Sequence, residues 1–328
     1  MAADLLVAVS YPVDDEFARI NTSVLDGSAR VVFLYGRPED EVRELLRQAD
    51  VLLGWHLSEE LPAGALAGST RVRFVQLLSA GADSVDYAAL PERLMLAGNV
   101  GAYAQPMAEY VMAATLALAR RLPQRHAEMA RGEFGMWKPV LTLDGAVCVV
   151  LGFGGIGKAT ASLMRAFGAR IHAVNTSGRT TEPVDFIGTL ADLDQVLAEA
   201  DVVVIALPLT RSTRGLIGER ELGLMKPAAI LVNVGRAAIV DERALYEHLR
   251  GHTDFCAGLD AWWHEPGPGA EFSTGYPFFA LPNLIGSPHN SGVTDGALQV
   301  GAAWAAENVR RFLHGETVTG VVRRGDYL

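Results

Sequence analysis

The sequence predicts an α/β protein made of two doubly wound parallel-sheet domains with a cleft between them. Three observations carry that expectation. Short apolar runs alternate with helical segments along most of the chain, the pattern of strands joined through crossover helices. One apolar run, Val147 to Leu151, meets glycines at 152, 154 and 157 and continues as an Ala-rich helix from Lys158 to Phe167. The length, 328 residues, suits two domains of ordinary size.

Composition narrows the class. Half of the residues are hydrophobic and a fifth are charged, the balance of a soluble globular protein. The net charge is −10 with no basic block or arginine stripe, which argues against a nucleic-acid partner. The segment Met1 to Val9 has no basic leader and its apolar run ends by Tyr11, so it reads as a first strand and not a signal peptide. No stretch has the roughly 18 uninterrupted apolar residues of a membrane helix. Cys148 and Cys256 both sit in apolar, strand-like surroundings without metal-ligand neighbours. A reduced, cytoplasmic protein is expected.

In the first hundred residues, strands are expected at Leu5 to Val9, Ala29 to Tyr35, Val51 to Gly54 and Val72 to Leu77. Helices are expected at Glu39 to Gln48 and Asp86 to Leu90. The stretch Gln76 to Asp86 closes a strand with a small-residue turn. Its backbone N–H groups could hold an anion, although a plain connection is the simpler reading. Residues 100–106 mark a crossing between domains. From Met107 a helix runs through Val111, Met112, Leu116 and Leu118, with Pro123 ending or kinking it. Apolar on more than one face, that helix should be buried.

At the glycine cluster the order of residues has a chemical reason. Gly152 permits the tight strand-to-helix turn, Gly154 lets a pyrophosphate approach the backbone, and Gly157 lets helix and strand pack closely. The helix N-terminus adds free N–H groups and partial positive charge for phosphates. An empty glycine-rich turn is the plain alternative, but the flanking strand and helix favour a dinucleotide site in a Rossmann-like unit. The next strand, Ala169 to Val174, ends at Asn175-Thr-Ser-Gly-Arg179. Further strands are read at Asp201 to Pro208, Ala229 to Val234, Cys256 to Leu259 and Leu284 to Gly286. A helix is read at Glu242 to Arg250, and a last one at about Asp295 to Leu313, stopping at Gly315.

Three polar groups stand just past these strands: Arg236, Glu265 and His289. In an open α/β sheet, ligands bind beyond the carboxyl ends of the strands. A guanidinium there can pin a carboxylate and polarise a neighbouring ketone. An imidazole can give that ketone a proton as hydride arrives and take it back in reverse. A carboxylate beside the imidazole orients it and raises its pKa. Each residue alone would be read as surface or packing; the three together point to catalysis.

The chain resembles the D-isomer-specific 2-hydroxyacid dehydrogenases, which include glyoxylate/hydroxypyruvate reductases. The resemblance spans nearly its whole length. It rests on Ala80-Gly81-x-Asp83, Met107-Ala-Glu109, Leu151-Gly-Phe-Gly-Gly-Ile-Gly157 and Leu207-Pro-Leu-Thr210-x-x-Thr213-x-Gly215. Met225-Lys-Pro227, Asn233-Val-Gly-Arg236-x-x-x-Val-Asp241, Leu259-Asp260-x-x-x-Glu265-Pro266 and Pro288-His289 complete it.

The resemblance implies that Arg236, Glu265 and His289 are the catalytic triad. Substrate binding falls to Ala80 and Gly81, through backbone N–H groups to the substrate carboxylate, with Arg236 and His289. Cofactor binding falls to Gly152, Phe153, Gly154, Gly155, Ile156 and Gly157, to Leu207, Pro208, Thr213 and Val234 in the groove, and to Asp260 near the nicotinamide amide, beside His289. It implies NAD(P)-dependent hydride transfer between nicotinamide and a small 2-keto or D-2-hydroxy acid such as glyoxylate or hydroxypyruvate. A dinucleotide-sensing, corepressor-like scaffold on the same fold is the alternative. The substrate domain is expected at 1–99 plus 290–328 and the dinucleotide domain at 100–289. A homodimer through the coenzyme domains is expected, seated on the helix from Met107 to Arg121. Where the family commonly has His-Ile-Gly-Gly, this chain has His289-Asn-Ser-Gly292, which alters the pocket nearby.

Cofactor choice rests on the second strand of the glycine unit. An NAD-binding unit places Asp or Glu there for the adenosine ribose. Here the position 18 residues beyond Gly157 is Asn175, and no acid follows until Glu182. Thr176 and Ser177 could donate to a 2′-phosphate and Arg179 could supply charge. NADP(H) is therefore expected over NAD(H). Asn175 could still bond a ribose hydroxyl, and Arg179 could instead be an ordinary surface arginine.

Overall fold

The computed structural model describes residues 5–267 and 269–328. The chain divides into two compact units, one ending at Tyr103 and resuming over Thr294–Leu328, the other spanning Ala104–Val293.

In the first unit the strands are β1 (Leu6–Val9), β2 (Arg30–Phe33), β3 (Val51–Gly54), β4 (Phe74–Leu77) and β5 (Met95–Ala97). Helices α1 (Asp15–Leu25), α2 (Glu39–Gln48) and α3 (Leu57–Glu60) interleave with them. All strand pairs are parallel, in the order β2-β1-β3-β4-β5. β1 and β3 are buried on both faces, which is why they read as unbroken apolar runs. The Asp14 carboxylate caps α1 by accepting the N–H groups of Glu16 and Phe17 at 2.9 Å. The helix expected at Asp86 to Leu90 is not formed; turns stand there instead. The Asp86 carboxylate accepts the N–H groups of Ala88 and Ala89, closing a local turn, and Pro91 then disfavours helical geometry at Leu90.

The second unit opens with α4 (Ala104–Ala119) and α5 (Leu122–Ala130). Next come β6 (Val147–Leu151), α6 (Gly155–Ala166), β7 (Arg170–Val174), β8 (Phe186–Gly188) and α7 (Leu193–Glu199). β9 (Val202–Ile205), α8 (Glu219–Leu224), β10 (Ile230–Asn233), α9 (Glu242–Gly251), β11 (Cys256–Leu259) and β12 (Leu284–Gly286) complete it. The strands are parallel in the order β12-β11-β10-β9-β6-β7-β8. The winding reverses between β6 and β9, so the crevice beyond their carboxyl ends is the expected ligand position of such a sheet. Helix α10 (Ala297–Leu313) belongs to the first unit, where it packs on α1 and β4.

α4 is buried as expected, and the structure adds two details to that reading. It ends at Ala119, Arg121 turns left-handed (φ 54°), and Pro123 sits in the first turn of α5, where its missing N–H costs nothing. Its apolar residues are also covered within their own unit. Val111, Met112, Ala114 and Leu118 are buried between α6 and the β10–β11 surface. The uncovered apolar side chains follow α4 instead: Leu122, Met129, Phe134, Met136 and Trp137, the last 89% exposed.

Cys148 and Cys256 are free and buried, and burial pushes the Cys148 thiol up to about 12. No helix among the described residues is long and apolar enough to cross a membrane.

Candidate active site

The glycine loop joins β6 to α6. Gly152 is left-handed (φ 96°), and a Cβ on it would lie 2.5 Å from the Ala206 carbonyl oxygen. At Gly157 a Cβ would come within 2.1 Å of the Gly152 oxygen and 3.0 Å of Val150. Both glycines are therefore required by the protein's own packing. Gly154 is different. Its φ is an ordinary −84°, and a Cβ there would meet nothing within 4 Å. The fold itself does not explain glycine at 154, whereas a ligand approaching the N-terminus of α6 does. Phe153 is buried beneath this loop, and Gly155 and Ile156 form the first turn of the helix.

After β7 the chain folds around Asn175. Its side-chain oxygen accepts the N–H groups of Ser177 (3.0 Å) and Gly178 (2.8 Å), and its amide donates to the Arg179 carbonyl at 2.9 Å. Asn175 is thus spent on shaping the loop. Thr176, Ser177 and Arg179 are exposed on it. Glu182, the first acid after β7, pairs with Lys158 of α6 at 3.2 Å. Beyond β9, Leu207 and Pro208 enter a turn closed by the buried Thr213, whose hydroxyl donates to the Pro208 carbonyl at 2.7 Å and accepts the Thr210 N–H at 2.8 Å.

Arg236 follows β10. The buried Asn233 fixes that turn, accepting the Gly235 N–H and donating to the Arg236 carbonyl, each at 3.0 Å; Val234 is buried beside it. Glu265 follows β11 and His289 follows β12. Nδ1 of His289 lies 2.8 and 2.9 Å from the two Glu265 oxygens. An ionised carboxylate only accepts hydrogen bonds, so Nδ1 carries the proton of that pair. Burial resists ionisation of Glu265. Hydrogen bonds from His289 and the Trp262 N–H, with the charges of His289 and Arg236, outweigh it and hold the carboxyl below the usual range. His289 and Glu265 are therefore in direct contact, and Arg236 is near enough for its charge to act on the same carboxylate.

Asp260, next to β11, is buried, and both its oxygens face the His289 loop. Oδ1 accepts from Ser287 Oγ (2.5 Å) and the Asn290 N–H (3.0 Å), and Oδ2 from the Ser291 N–H (3.0 Å). At His289-Asn-Ser-Gly292 two successive backbone N–H groups, which any non-proline residues would supply, thus converge on one carboxylate. Ser291 Oγ is itself buried with no partner among the described residues. Ala80 and Gly81 lie in the other unit, in the turn after β4. There Ser79 Oγ donates to the Gly81 carbonyl at 2.8 Å.

A family model described as the NAD-binding domain of D-isomer-specific 2-hydroxyacid dehydrogenases matches residues 112–291. The chain belongs to that family. It is 32% identical to a glyoxylate reductase of Thermococcus gammatolerans, over 88% of this chain and 86% of that one. A D-3-phosphoglycerate dehydrogenase of Methanocaldococcus jannaschii is 28% identical over 96% of this chain and 59% of that one. Among solved structures, a D-isomer-specific 2-hydroxyacid dehydrogenase of Xanthobacter autotrophicus Py2 in complex with NADPH and MES superposes with a TM-score of 0.82. That pair is 26% identical and covers 99% of this chain and all of that one (100%).

As a D-2-hydroxyacid dehydrogenase, the protein is an oxidoreductase using a nicotinamide dinucleotide, and the space at Gly154 suits that cofactor. Sequence reasoning missed Asn233, which shapes the Arg236 turn, although it stands inside a quoted motif. Ser287 and Tyr110 were also missed; their contact joins positions 177 residues apart and leaves no spacing signal. Four aromatic residues near these turns, Trp55, Tyr103, Trp262 and Trp263, make local contacts within their own units. Trp262 donates its indole N–H to the Ser287 carbonyl, and Trp263 stacks on Phe278. The Tyr103 hydroxyl donates to the Leu78 carbonyl, and Trp55 stacks on His56.

Proposed function

We propose that this D-2-hydroxyacid dehydrogenase reduces a small 2-keto acid, glyoxylate, hydroxypyruvate or a close analogue, to the D-2-hydroxy acid, and runs the reverse reaction. The observation that carries the reading is the His289–Glu265 pair, with the Arg236 charge acting on the same carboxylate. Bound dinucleotide supplies the hydride. Arg236 grips the substrate carboxylate and polarises the adjacent carbonyl, as a planar guanidinium can and an ammonium cannot. With Nδ1 committed to Glu265, His289 offers Nε2 to the carbonyl oxygen and protonates it as the alkoxide develops. In the oxidation direction the same nitrogen takes the proton back. Glu265 holds the ring in place and balances its charge. The test is nicotinamide absorbance with a panel of 2-keto acids; absence of turnover on every one would reject the reading.

The proposal extends to NADP(H) over NAD(H). With Asn175 occupied inside the loop, no carboxylate stands where a ribose hydroxyl would be read, and Glu182 is paired with Lys158. Exposed Thr176, Ser177 and Arg179 offer donors and charge for a 2′-phosphate. Asp260 Oδ2, which accepts only the Ser291 N–H, keeps acceptor capacity for an amide N–H of the nicotinamide.

A homodimer is also proposed, on a different surface from α4. Met129, Phe134, Met136 and Trp137 give the coenzyme unit a stretch of exposed large apolar side chains, and a second copy of the chain is the occupant proposed for it.

A further inference from the structure

We propose that Tyr110, Ser287 and Asp260 form a hydrogen-bonded relay that positions His289, so that a tyrosine on α4 controls the proton donor without touching it. The proposal rests on the role given to His289 above.

His289 is held in an unfavourable backbone state. Its φ is 53°, and Arg121 is the other non-glycine residue with positive φ among the described residues. A left-handed histidine needs its surroundings to hold it there. In this conformation the next two N–H groups, of Asn290 and Ser291, converge on the Asp260 carboxylate, one on each oxygen at 3.0 Å. Successive N–H groups beside a left-handed residue make an anion-binding concavity, and here the anion is a side chain of the protein itself.

Asp260 is in turn fixed from behind. Ser287 Oγ lies 2.5 Å from Asp260 Oδ1 and 2.6 Å from the Tyr110 hydroxyl. A serine has one proton and a carboxylate can only accept, so Ser287 donates to Asp260. Tyr110 must then donate to Ser287. Burial first, and the Asp260 charge with it, raise the Tyr110 phenol above its ordinary value despite the opposing serine bond, so it keeps the proton it donates. The Trp262 indole pins the Ser287 carbonyl at 2.8 Å while the Trp262 backbone N–H holds Glu265 at 3.0 Å. Both partners of the acid–base pair are thereby indexed to one rigid frame. The direction of the relay is fixed from α4 to the His289 turn, and every member lies in the same unit.

The experiment compares Tyr110→Phe, Ser287→Ala and the double variant with wild type in the full chain. Loss of either hydroxyl should lower kcat about tenfold, since small misplacements of a catalytic group are costly. KM and the NAD(P)H dissociation constant, read by fluorescence titration, should stay within about twofold of wild type. The double variant should be no slower than the worse single one, because both act through one carboxylate. Ser287→Thr, which keeps the hydroxyl, should restore kcat. A readout independent of turnover is the rate at which diethyl pyrocarbonate modifies His289, followed by mass spectrometry with exposed His264 as internal reference. It should change in Tyr110→Phe and not in Ser287→Thr. If kcat and this rate both remain at wild-type values, the relay is wrong. If the losses simply add, or merely track a fall in Tm, the relay is equally wrong. Should wild type turn over no 2-keto acid, the assigned activity fails, and the modification rate alone decides the relay.

Discussion

The Glu265 carboxylate lies 2.8 Å from Nδ1 of His289 and also accepts the Trp262 backbone N–H at 3.0 Å. It is thus tied to its own strand end as firmly as to the imidazole. Replacing His289 with Ala should therefore remove proton donation and leave the cofactor groove intact. We expect kcat to fall by roughly 10² to 10⁴ with dinucleotide affinity almost unchanged. A variant retaining a third of wild-type kcat would exclude this role.

The same pair sets a pH dependence of stability. The folded state holds the Glu265 carboxyl below its unfolded value of 4.5, although burial acts against it. A depressed carboxyl stabilises the fold above the unfolded value, and that contribution is lost as pH falls through the lower, folded one. Glu265→Gln should accordingly narrow the gap between Tm at pH 7 and Tm at about pH 3. Equal pH dependence in both proteins would count against the pairing.

Arg236→Lys should fail as an enzyme. An ammonium cannot reproduce a two-point planar grip, so kcat/KM should drop by at least about two orders of magnitude while Tm moves little. Asn233→Ala should reproduce part of this loss, because it frees the turn that Asn233 closes on Gly235 and Arg236. Wild-type kinetics in Arg236→Lys would make that arginine structural.

Two glycines of one loop should respond differently to a single methyl group. Gly154→Ala meets open space, so Tm should hold while dinucleotide affinity weakens. Gly157→Ala drives a Cβ to 2.1 Å from a carbonyl oxygen and should destabilise the protein even without ligand. Loss of Tm in both, or in neither, would show that the loop is not divided in this way.

Much of this architecture was legible because parallel strands buried on both faces are unbroken apolar runs. β6, β9, β10 and β11 announced themselves in that way. β5 and β8 did not; three residues on a sheet edge leave too short an apolar run to stand out, although β12, equally short, was read from the segment leading to His289. The sequence could show that α4 is apolar on several faces, but not that its own sheet and α6 cover them. Glu265 and His289 were readable from their places after strands. Asn233, Ser287 and Tyr110 were not, because their importance lies in what they hold.

Dinucleotide preference should appear as a higher kcat/KM with NADPH than with NADH, and Arg179→Ala should weaken NADPH selectively. A tenfold preference for NADH would reverse the assignment. Light scattering should return about twice the 35.1 kDa chain mass, and Trp137→Glu should shift it toward the single chain. A wild-type mass of one chain would remove the dimer.

The turn after β7 carries a consequence of a different kind. Its contour is drawn by the Asn175 amide, bonded to the backbone at 177, 178 and 179, together with the Ser177 hydroxyl, bonded to Asn175 and to the Arg179 backbone, while Thr176 and Arg179 are exposed. Shape and chemistry are thereby assigned to different positions. Exposed residues 176 and 179 can be exchanged without redrawing the loop, so single substitutions there change the donors and charge it presents while leaving the scaffold alone. Change at Asn175 would alter contour and charge together, which makes it the least evolvable position of the loop.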